Sequence, residues 1–371
     1  MNAQVQFDSQ ALNSYAPLGS FKWPGLIVPK EAIDLEVERL ADADLSEGGF
    51  RLSRILHPSA SAPGRGFTPG IDVSINVVRP GESTRPFLTN ATYLGFCLRG
   101  DGEVTVGTRT LALHKWSVWT VPSMRAFRYV NTGKELLVFL TYSNIPLLEK
   151  MCMHFFENPA KMHQPGTNEP ARGAPAVRAR DLAVNQPVGP DGGRILGYEY
   201  CVDIDVVPSE AMVWQWKDVA ETMSMTTDVL PKTYDGRRVG ILYDPATGRL
   251  NGTTNALFAA FGQKEPNAED HLHRHSSCSI NYYLAGSGNS IVDDQRMEWK
   301  AGDLQFAAPA WSAHRHASGP DGLRGLTVQD HPFMIGMDAL IWQERTDGPV
   351  LRLGGDVGAE TNLVEALNAA E

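Results

Sequence analysis

The sequence has few cysteines, no excess of positive charge and no long apolar run. Because its four cysteines show no CxxC spacing, they argue against a disulfide framework or a thiolate zinc site and favour reduced thiols. No stretch approaches the roughly 18 apolar residues of a membrane-spanning helix. The N-terminus also lacks the basic and apolar regions of a signal peptide. These absences predict a cytoplasmic protein without a membrane partner.

The charge balance is acidic, with 33 basic and 43 acidic residues and a formal net charge of −10. A nucleic-acid surface needs a basic patch, so nucleic acid is excluded as a partner. A small anionic substrate held by one local arginine remains compatible with this balance. With 42% hydrophobic and 20% charged residues over 371 positions, the chain is expected to form two ordinary globular domains.

Glycine and proline are plentiful, at 35 and 24 residues, which favours short elements joined by tight turns. Two regions of short β-type runs, residues 70–142 and 237–345, dominate the pattern. Helices are predicted over residues 28–42, 144–158 and 360–370. The segment 158–192 is rich in proline and glycine and is interpreted as a linker or a surface loop.

An internal repeat relates residues 98–127 to residues 284–314. Both copies contain an apolar strand, a Gly-x-Gly turn, two further strands and a proline. Gly100 lies 22 residues before Pro122, and Gly286 lies 23 residues before Pro309. Two copies of one β-unit predict a duplicated fold.

The two copies differ in three side chains. His273 and His275 precede Gly286 by 13 and 11 residues, and His314 follows Pro309 by five. The same offsets in the first copy lead to residues without an imidazole, namely Phe87, Thr89 and Phe127. A metal site is therefore expected in the second copy alone.

The alternation of strand residues places His271, His273 and His275 on one face, and His314 and His316 share a face of a later strand. Imidazoles that converge from two strands inside a barrel can hold a divalent ion such as Fe, Zn, Cu or Ni. A histidine-rich surface loop is the alternative, and the regular spacing argues against it.

The pattern HxH, YYLAGSG, GD and PAWSAHRH resembles the two cupin motifs. Over residues 65–345 the chain resembles the bicupin ring-cleaving dioxygenases of the gentisate, salicylate and 1-hydroxy-2-naphthoate family. The stretch YDPATGRLNGTTNALFAAF at 243–261 is similar to the Asn-Pro-x-Thr-Gly segment of that family, with Asp244 in the asparagine position.

The resemblance implies an all-β bicupin of two double-stranded β-helix (jelly-roll) barrels with a few flanking helices. An N-terminal cupin without a metal site would span residues 1–160, a linker 161–192 and a metal-binding cupin 193–371. Fe(II) would be bound by His273, His275 and His314, and His316 would be the catalytic histidine near the substrate. The implied partners are a small aromatic substrate, O2 and further copies of the chain in a homodimer or homotetramer.

The chain departs from the family at two points. Gentisate and salicylate enzymes usually carry the metal in the N-terminal cupin, whereas the histidines here lie in the C-terminal one. The family arginine six residues after the second ligand is Asn281 in this chain. Candidate substrate contacts are therefore drawn from inward-facing and nearby side chains, namely Asn281, Tyr283, Gln305, Arg238 and His271, with Arg237 and Arg249 as further candidates for a carboxylate.

The primary hypothesis is a non-haem Fe(II) dioxygenase that opens the ring of a gentisate- or salicylate-like acid in the degradation of aromatic compounds. A hydroquinone-type ring-cleaving dioxygenase is the second possibility, since Asn281 is uncharged. A metal-dependent cupin isomerase or decarboxylase and a cupin that only binds a small molecule remain as further alternatives.

Overall fold

The computed structural model describes residues 15–157, 185–198, 209–225 and 237–355. The predicted helix 360–370, most of the predicted linker and the first 14 residues lie outside these ranges. None of the helices in the described residues combines the length and the apolar character that are needed to cross a membrane.

The described residues of the first half form short strands and two helices. The helices are α1 (Lys30–Asp42) and α2 (Ile145–Lys150). The strands are β1 (Leu26–Val28), β2 (Leu52–Ile55), β3 (Asp72–Val78), β4 (Leu88–Thr89), β5 (Tyr93–Arg99), β6 (Gly102–Val106), β7 (Arg109–Leu113), β8 (Val118–Val121), β9 (Phe127–Val130), β10 (Leu137–Ser143) and β11 (Phe156–Glu157).

The second half repeats this composition. Its helices are α3 (Trp216–Met225), a 3-10 helix (Pro245–Leu250) and α4 (His331–Gly336). Its strands are β12 (Asn185–Pro187), β13 (Arg194–Leu196), β14 (Val213–Trp214), β15 (Arg237–Leu242), β16 (Phe258–Lys264), β17 (Arg274–His275), β18 (Ser279–Val292), β19 (Gln295–Lys300), β20 (Leu304–Ala308), β21 (His314–Gln329), β22 (Ile341–Gln343) and β23 (Leu351–Arg352). The predicted all-β class is confirmed.

The two largest sheets have matching strand orders. The first runs β14-β8-β5-β10-β3-β2 and the second runs β1-β20-β18-β21-β16-β15. The glycines that open the two repeats are also equivalent, because Gly100 has a φ of 83° and Gly286 a φ of 84°. A Cβ at either position would meet a carbonyl oxygen of the adjoining segment, Leu136 O at 2.3 Å or Gly322 O at 2.0 Å. Both turns therefore require glycine, as the repeat predicted.

The halves exchange their edge strands. β1 pairs with β20, with Leu26 opposite Phe306, although β1 precedes all strands of the first sheet in the chain. Conversely, β14 of the second half pairs with β8 of the first sheet, with Val213 opposite Trp119. Each of the two large sheets therefore includes one strand from the other half of the chain.

The two large sheets pack against each other through one apolar core. The ring centroids of Phe96 and Phe261 are 6.4 Å apart, and those of Phe96 and Tyr282 are 5.4 Å apart. A second cluster fills the interior of the first barrel, where Tyr129 and Phe139 lie 4.4 Å apart between ring centroids. Aromatic rings therefore occupy the interior of the first barrel.

Helix α1 agrees with the prediction, and α2 does not. Pro29 precedes α1 as its N-cap, and the helix buries Ile33, Val37 and Leu40 on one face. The helix predicted over 144–158 was wrong in length, because α2 covers only Ile145–Lys150. The left-handed conformation of Cys152, with a φ of 56°, follows its end, and the chain then pairs with β4 as strand β11.

Candidate metal centre

Three histidines converge in the second barrel. His275 lies on β17, His314 begins β21, and His273 forms an isolated β-bridge with His314. The ring centroids of His273 and His314 are 4.3 Å apart, and those of His275 and His314 are 4.8 Å apart. One nitrogen of each ring lies within 4.8 Å of the others, and all three residues are buried. Such a spacing can be bridged by a single ion.

Backbone carbonyls determine the tautomer of each ring. A carbonyl oxygen can only accept, so each Nδ1 within hydrogen-bond distance of one must carry the proton. The acceptors lie 2.9–3.1 Å away and are the carbonyls of His271 for His273, Ser277 for His275 and Ser312 for His314. The Nε2 atoms are thereby left with lone pairs for a metal.

The three rings are also uncharged at neutral pH. Burial lowers the pKa of His273, and it lowers the pKa of His275 and His314 well below the ordinary value, with a further contribution from the neighbouring imidazoles. Metal ligation requires neutral imidazole, so no proton has to be displaced. Three neutral nitrogens fit Fe(II), Zn, Cu or Ni and do not choose among them.

The first barrel has the same backbone arrangement with different side chains. Phe87 and Phe127 form the bridge equivalent to that of His273 and His314, with both N···O distances at 2.9 Å. Their rings contact each other edge to face, and the Thr89 hydroxyl donates to the carbonyl of Phe155 at 2.7 Å. Within the described ranges, the histidine triad is the group of metal-binding side chains that comes together.

His316 lies beside the triad, with its ring centroid 5.7 Å from that of His314. Its Nδ1 is 2.7 Å from the Ser290 hydroxyl. Burial lowers the pKa of His316 to about 3, although the carboxylate of Asp270 acts in the opposite direction. The ring is therefore uncharged at neutral pH.

A buried charge cluster lies next to His316. The Nζ of Lys264 is 2.5 Å from Oδ1 of Asp270 and donates to the carbonyl of His316 at 2.8 Å. The guanidinium of Arg237 lies 3.9 Å from the same carboxylate oxygen. Burial acts to raise the pKa of Asp270, but the charges of Lys264 and Arg237 outweigh it and lower that pKa to about 2.

Arg238, the predicted contact for a substrate carboxylate, points away from this cluster. Adjacent residues of β15 face opposite sides of the sheet. Arg238 donates to the carbonyl of Met223 on α3 at 3.2 Å, whereas Arg237 faces the histidines. Arg249 lies on the surface, 3.7 Å from Asp338. The structure therefore places Arg237, and neither Arg238 nor Arg249, at the site.

His271 is engaged by a carboxylate. Its Nε2 lies 2.7 Å from Glu344, and Glu344 also accepts from the indole nitrogen of Trp342 at 2.7 Å. The indole of Trp342 stacks on His273 and His275, at 5.4 and 4.8 Å between ring centroids. His271 therefore supports the ring that covers two of the predicted ligands.

The remaining predicted substrate contacts bond to other side chains of the barrel. Asn281 accepts from the hydroxyl of Thr327 at 2.8 Å. Tyr283 donates to Gln305 and stacks on Trp299 at 3.9 Å between ring centroids. Tyr283 and Gln305 are fully buried and satisfy each other.

Sequence reasoning missed several side chains around the triad. Trp342 and Glu344 come from the segment after α4, and His331 stacks on Phe258 with 5.1 Å between ring centroids. His331 also lies 5.4 Å from the ring of His275. No local pattern marked Trp342 and Glu344, because the segment after α4 reaches the site only through the pairing of β22 with β17.

Comparison with known proteins identifies relatives along most of the chain, although no protein-family model matches it. Gentisate 1,2-dioxygenase of a Haloferax species is 24% identical over 322 residues, covering 83% of this chain and 83% of the relative. 5-Aminosalicylate 1,2-dioxygenase of a Comamonas species is 22% identical over 311 residues, covering 81% and 76%. A solved structure of a salicylate 1,2-dioxygenase variant from Pseudoaminobacter salicylatoxidans with gentisate has a TM-score of 0.72 at 13% identity, covering 91% and 90%.

The fold and the site together define a bicupin with a three-histidine centre in its second barrel. Within this class, the chain is similar to curated ring-cleaving dioxygenases, and the solved structures share its fold.

Proposed function

We propose that this protein is a non-haem Fe(II) dioxygenase that inserts O2 into the ring of a hydroxylated aromatic acid. The observation that carries the proposal is the convergence of three buried, neutral imidazoles with their Nε2 atoms available as ligands. The relatives act, by their names, on gentisate and 5-aminosalicylate, so a gentisate- or salicylate-like acid is the proposed substrate. This assignment places the protein in the degradation of aromatic compounds.

The charges around the triad favour an anionic substrate. The triad is uncharged, and the charged groups beside it are two cations, Lys264 and Arg237, and two carboxylates, Asp270 and Glu344. A divalent ion held by the triad would add positive charge that these groups do not balance, and a buried excess of charge is costly unless a partner compensates it. A substrate carboxylate beside a deprotonated hydroxyl would provide that compensation, with Arg237 as the proposed anchor in place of Arg238.

Each side chain at the site has a proposed task. His273, His275 and His314 would hold Fe(II), which would supply a template for the substrate oxygens and the electrons that activate dioxygen. His316 would take the proton of the substrate hydroxyl at its Nε2 atom. Trp342 and Phe258 would provide flat apolar walls for the ring.

We further propose that the protein is a cytoplasmic homodimer or homotetramer. The scattered cysteines support a reducing compartment, and Cys97, Cys152 and Cys278 are free thiols. Light scattering on the eluted protein would determine the number of subunits, and a monomer would overturn that part of the proposal.

The test of the activity is anaerobic purification followed by metal analysis and oxygen-uptake assays. Gentisate, salicylate, 5-aminosalicylate, 1-hydroxy-2-naphthoate and hydroquinone form the substrate panel. The proposal requires about one iron per chain and uptake of one O2 for each ring-opened product with at least one of the acids. Tightly bound zinc without oxygen uptake would contradict it, and uptake with hydroquinone alone would contradict the assignment of an acid as substrate.

A further inference from the structure

The hydroxyl of Ser290 stands at the centre of a buried hydrogen-bond network behind His316. Three polar atoms lie within 3.0 Å of it, namely Nδ1 of His316 at 2.7 Å, Oε1 of Gln305 at 3.0 Å and Nε1 of Trp299 at 3.0 Å, and the hydroxyl of Tyr283 is also close to it. Ser290 and Gln305 are both 0% exposed. Because water has no access to these groups, their protons must satisfy one another.

The protons of this network follow from the chemistry of its members, with the hydroxyl of Tyr283 donating to Gln305. An indole nitrogen only donates, so Ser290 accepts from Trp299, and an amide oxygen only accepts, so Ser290 donates to Gln305. The single proton of the Ser290 hydroxyl is then committed. The third neighbour, Nδ1 of His316, must therefore carry a proton and donate it to Ser290.

The orientation of the Gln305 amide is supported from its other side. Its nitrogen lies 3.9 Å from the sulfur of Met297, which is a weak acceptor and cannot donate. Its oxygen also accepts from the hydroxyl of Tyr283, whose pKa is raised by burial, so that the phenol keeps its proton. A rotated amide would place its oxygen, an acceptor, against this sulfur, which has no proton to donate.

We propose that Ser290 is a positioning residue that locks His316 in the Nδ1–H tautomer and thereby makes Nε2 the proton acceptor for the substrate. This proposal rests on the proposed function for the identity of the proton donor. In the step itself, the O–H bond of the substrate hydroxyl breaks and an N–H bond forms at Nε2 of His316. The electron pair stays on the oxygen, and the imidazolium keeps its bond to Ser290.

The tautomer can be measured without turnover. The full chain, labelled with 15N in its histidines and loaded with diamagnetic Zn²⁺, is recorded by long-range 1H–15N correlation. The signals of His316 are those that His316→Gln removes. The wild-type ring is expected to show a protonated Nδ1 and an unprotonated Nε2. Ser290→Ala should move both nitrogens toward averaged positions, because the acceptor of the Nδ1 proton is lost.

Two variants control this measurement. Ser290→Thr keeps a hydroxyl and should restore the wild-type signals. Ser74→Ala removes another buried serine, whose hydroxyl donates to Asp72 at 3.0 Å in the first barrel, and should leave the His316 signals unchanged. A wild-type His316 with its proton on Nε2, or a tautomer unchanged in Ser290→Ala, would overturn the proposal.

Kinetics provide a second readout. Ser290→Ala should lower kcat about tenfold or more with KM changed less than about twofold, because proton transfer is impaired while the binding groups remain. Ser290→Thr should recover most of kcat, and equal rates in both variants would count against the positioning role. If no aromatic acid supports oxygen uptake, the proposed function fails, whereas the nuclear magnetic resonance result still decides the tautomer.

Discussion

At the scale of single residues, hydrogen bonds to the backbone prepare the triad for a metal. Each Nδ1 atom of His273, His275 and His314 donates to a carbonyl two residues away in the chain. The segment that carries each ring therefore also supplies the carbonyl that orients it, so the orientation of the ligands is determined locally.

Removing one imidazole should abolish metal binding. His273→Ala and His314→Ala are each expected to reduce the bound metal from about one per chain to near zero, because two nitrogens hold a divalent ion weakly. Mass-spectrometric metal analysis and circular dichroism would verify loss of metal with retention of the fold. Phe127→Leu, at the equivalent position of the first barrel, is the control and should retain full metal content. Metal retained in either histidine variant would refute the ligand assignment.

The two neighbouring arginines offer a matched comparison. Arg237→Gln should raise KM for a carboxylated substrate by about tenfold to a hundredfold, the range expected when one charge-assisted hydrogen bond is lost. Arg238→Gln should change KM less than about twofold, because that side chain bonds to Met223 on α3. Steady-state oxygen uptake measures both, and a larger effect in Arg238→Gln would reverse the assignment.

The depressed pKa values of the triad predict how stability varies with pH in the metal-free protein. Since these histidines have folded pKa values below 6.5, the unfolded chain binds more protons below that pH, and stability is lost as the pH falls. Between pH 7 and pH 5 the Tm of the metal-free protein should drop by more than about 5 °C. The metal-loaded protein should drop less, because the ion occupies the nitrogens. His314→Phe should flatten the metal-free profile, and equal Tm values at both pH values would contradict the prediction.

At the scale of elements, α1 links the two halves. It packs on β3 of the first sheet, and its first backbone N–H, that of Lys30, donates to Asp303 of the second barrel at 2.8 Å. The Gly302-Asp303 turn of the second repeat thus anchors a helix that precedes the first barrel. Periodicity predicted this helix correctly, because its apolar positions recur every three to four residues.

A pair of substitutions in α1 separates the buried face from the solvent face. Ile33→Ala should lower the free energy of unfolding by about 3 kcal/mol, because it removes a side chain that is 3% exposed in the shared core. Leu35→Ala, at a position that is 67% exposed, should change it by less than about 0.5 kcal/mol. Urea unfolding curves would compare the two, and similar losses in both variants would disprove the assigned orientation of the helix.

At the scale of the whole molecule, the halves are joined by more than the linker. Each lends an edge strand to the other, and Phe96 of the first sheet packs on Phe261 and Tyr282 of the second. Opening of one half would break the pairing of β1 or β14 and would expose the apolar surface of the shared core. The two halves should therefore unfold as one cooperative unit.

This cooperativity can be followed by one probe in each half. Labelling of the buried Cys97 thiol reports opening of the first barrel, and release of the bound metal reports opening of the second. On heating, the two midpoints are expected to coincide. A Cys152→Ser, Cys201→Ser, Cys278→Ala background leaves Cys97 as the single thiol in the measurement. Metal release well before labelling of Cys97 would indicate independent halves.

The sequence by itself determined the duplication, the all-β class and the three histidines that meet in the second barrel, because strand alternation and glycine turns are local properties. Only the tertiary structure decided which neighbouring groups join them. It exchanged β1 and β14 between the sheets, turned Arg237 rather than Arg238 toward the site, and brought Trp342 over the ligand rings. These outcomes depend on which sheet edge is free and which segment covers it, and such contacts join residues that are far apart in the chain.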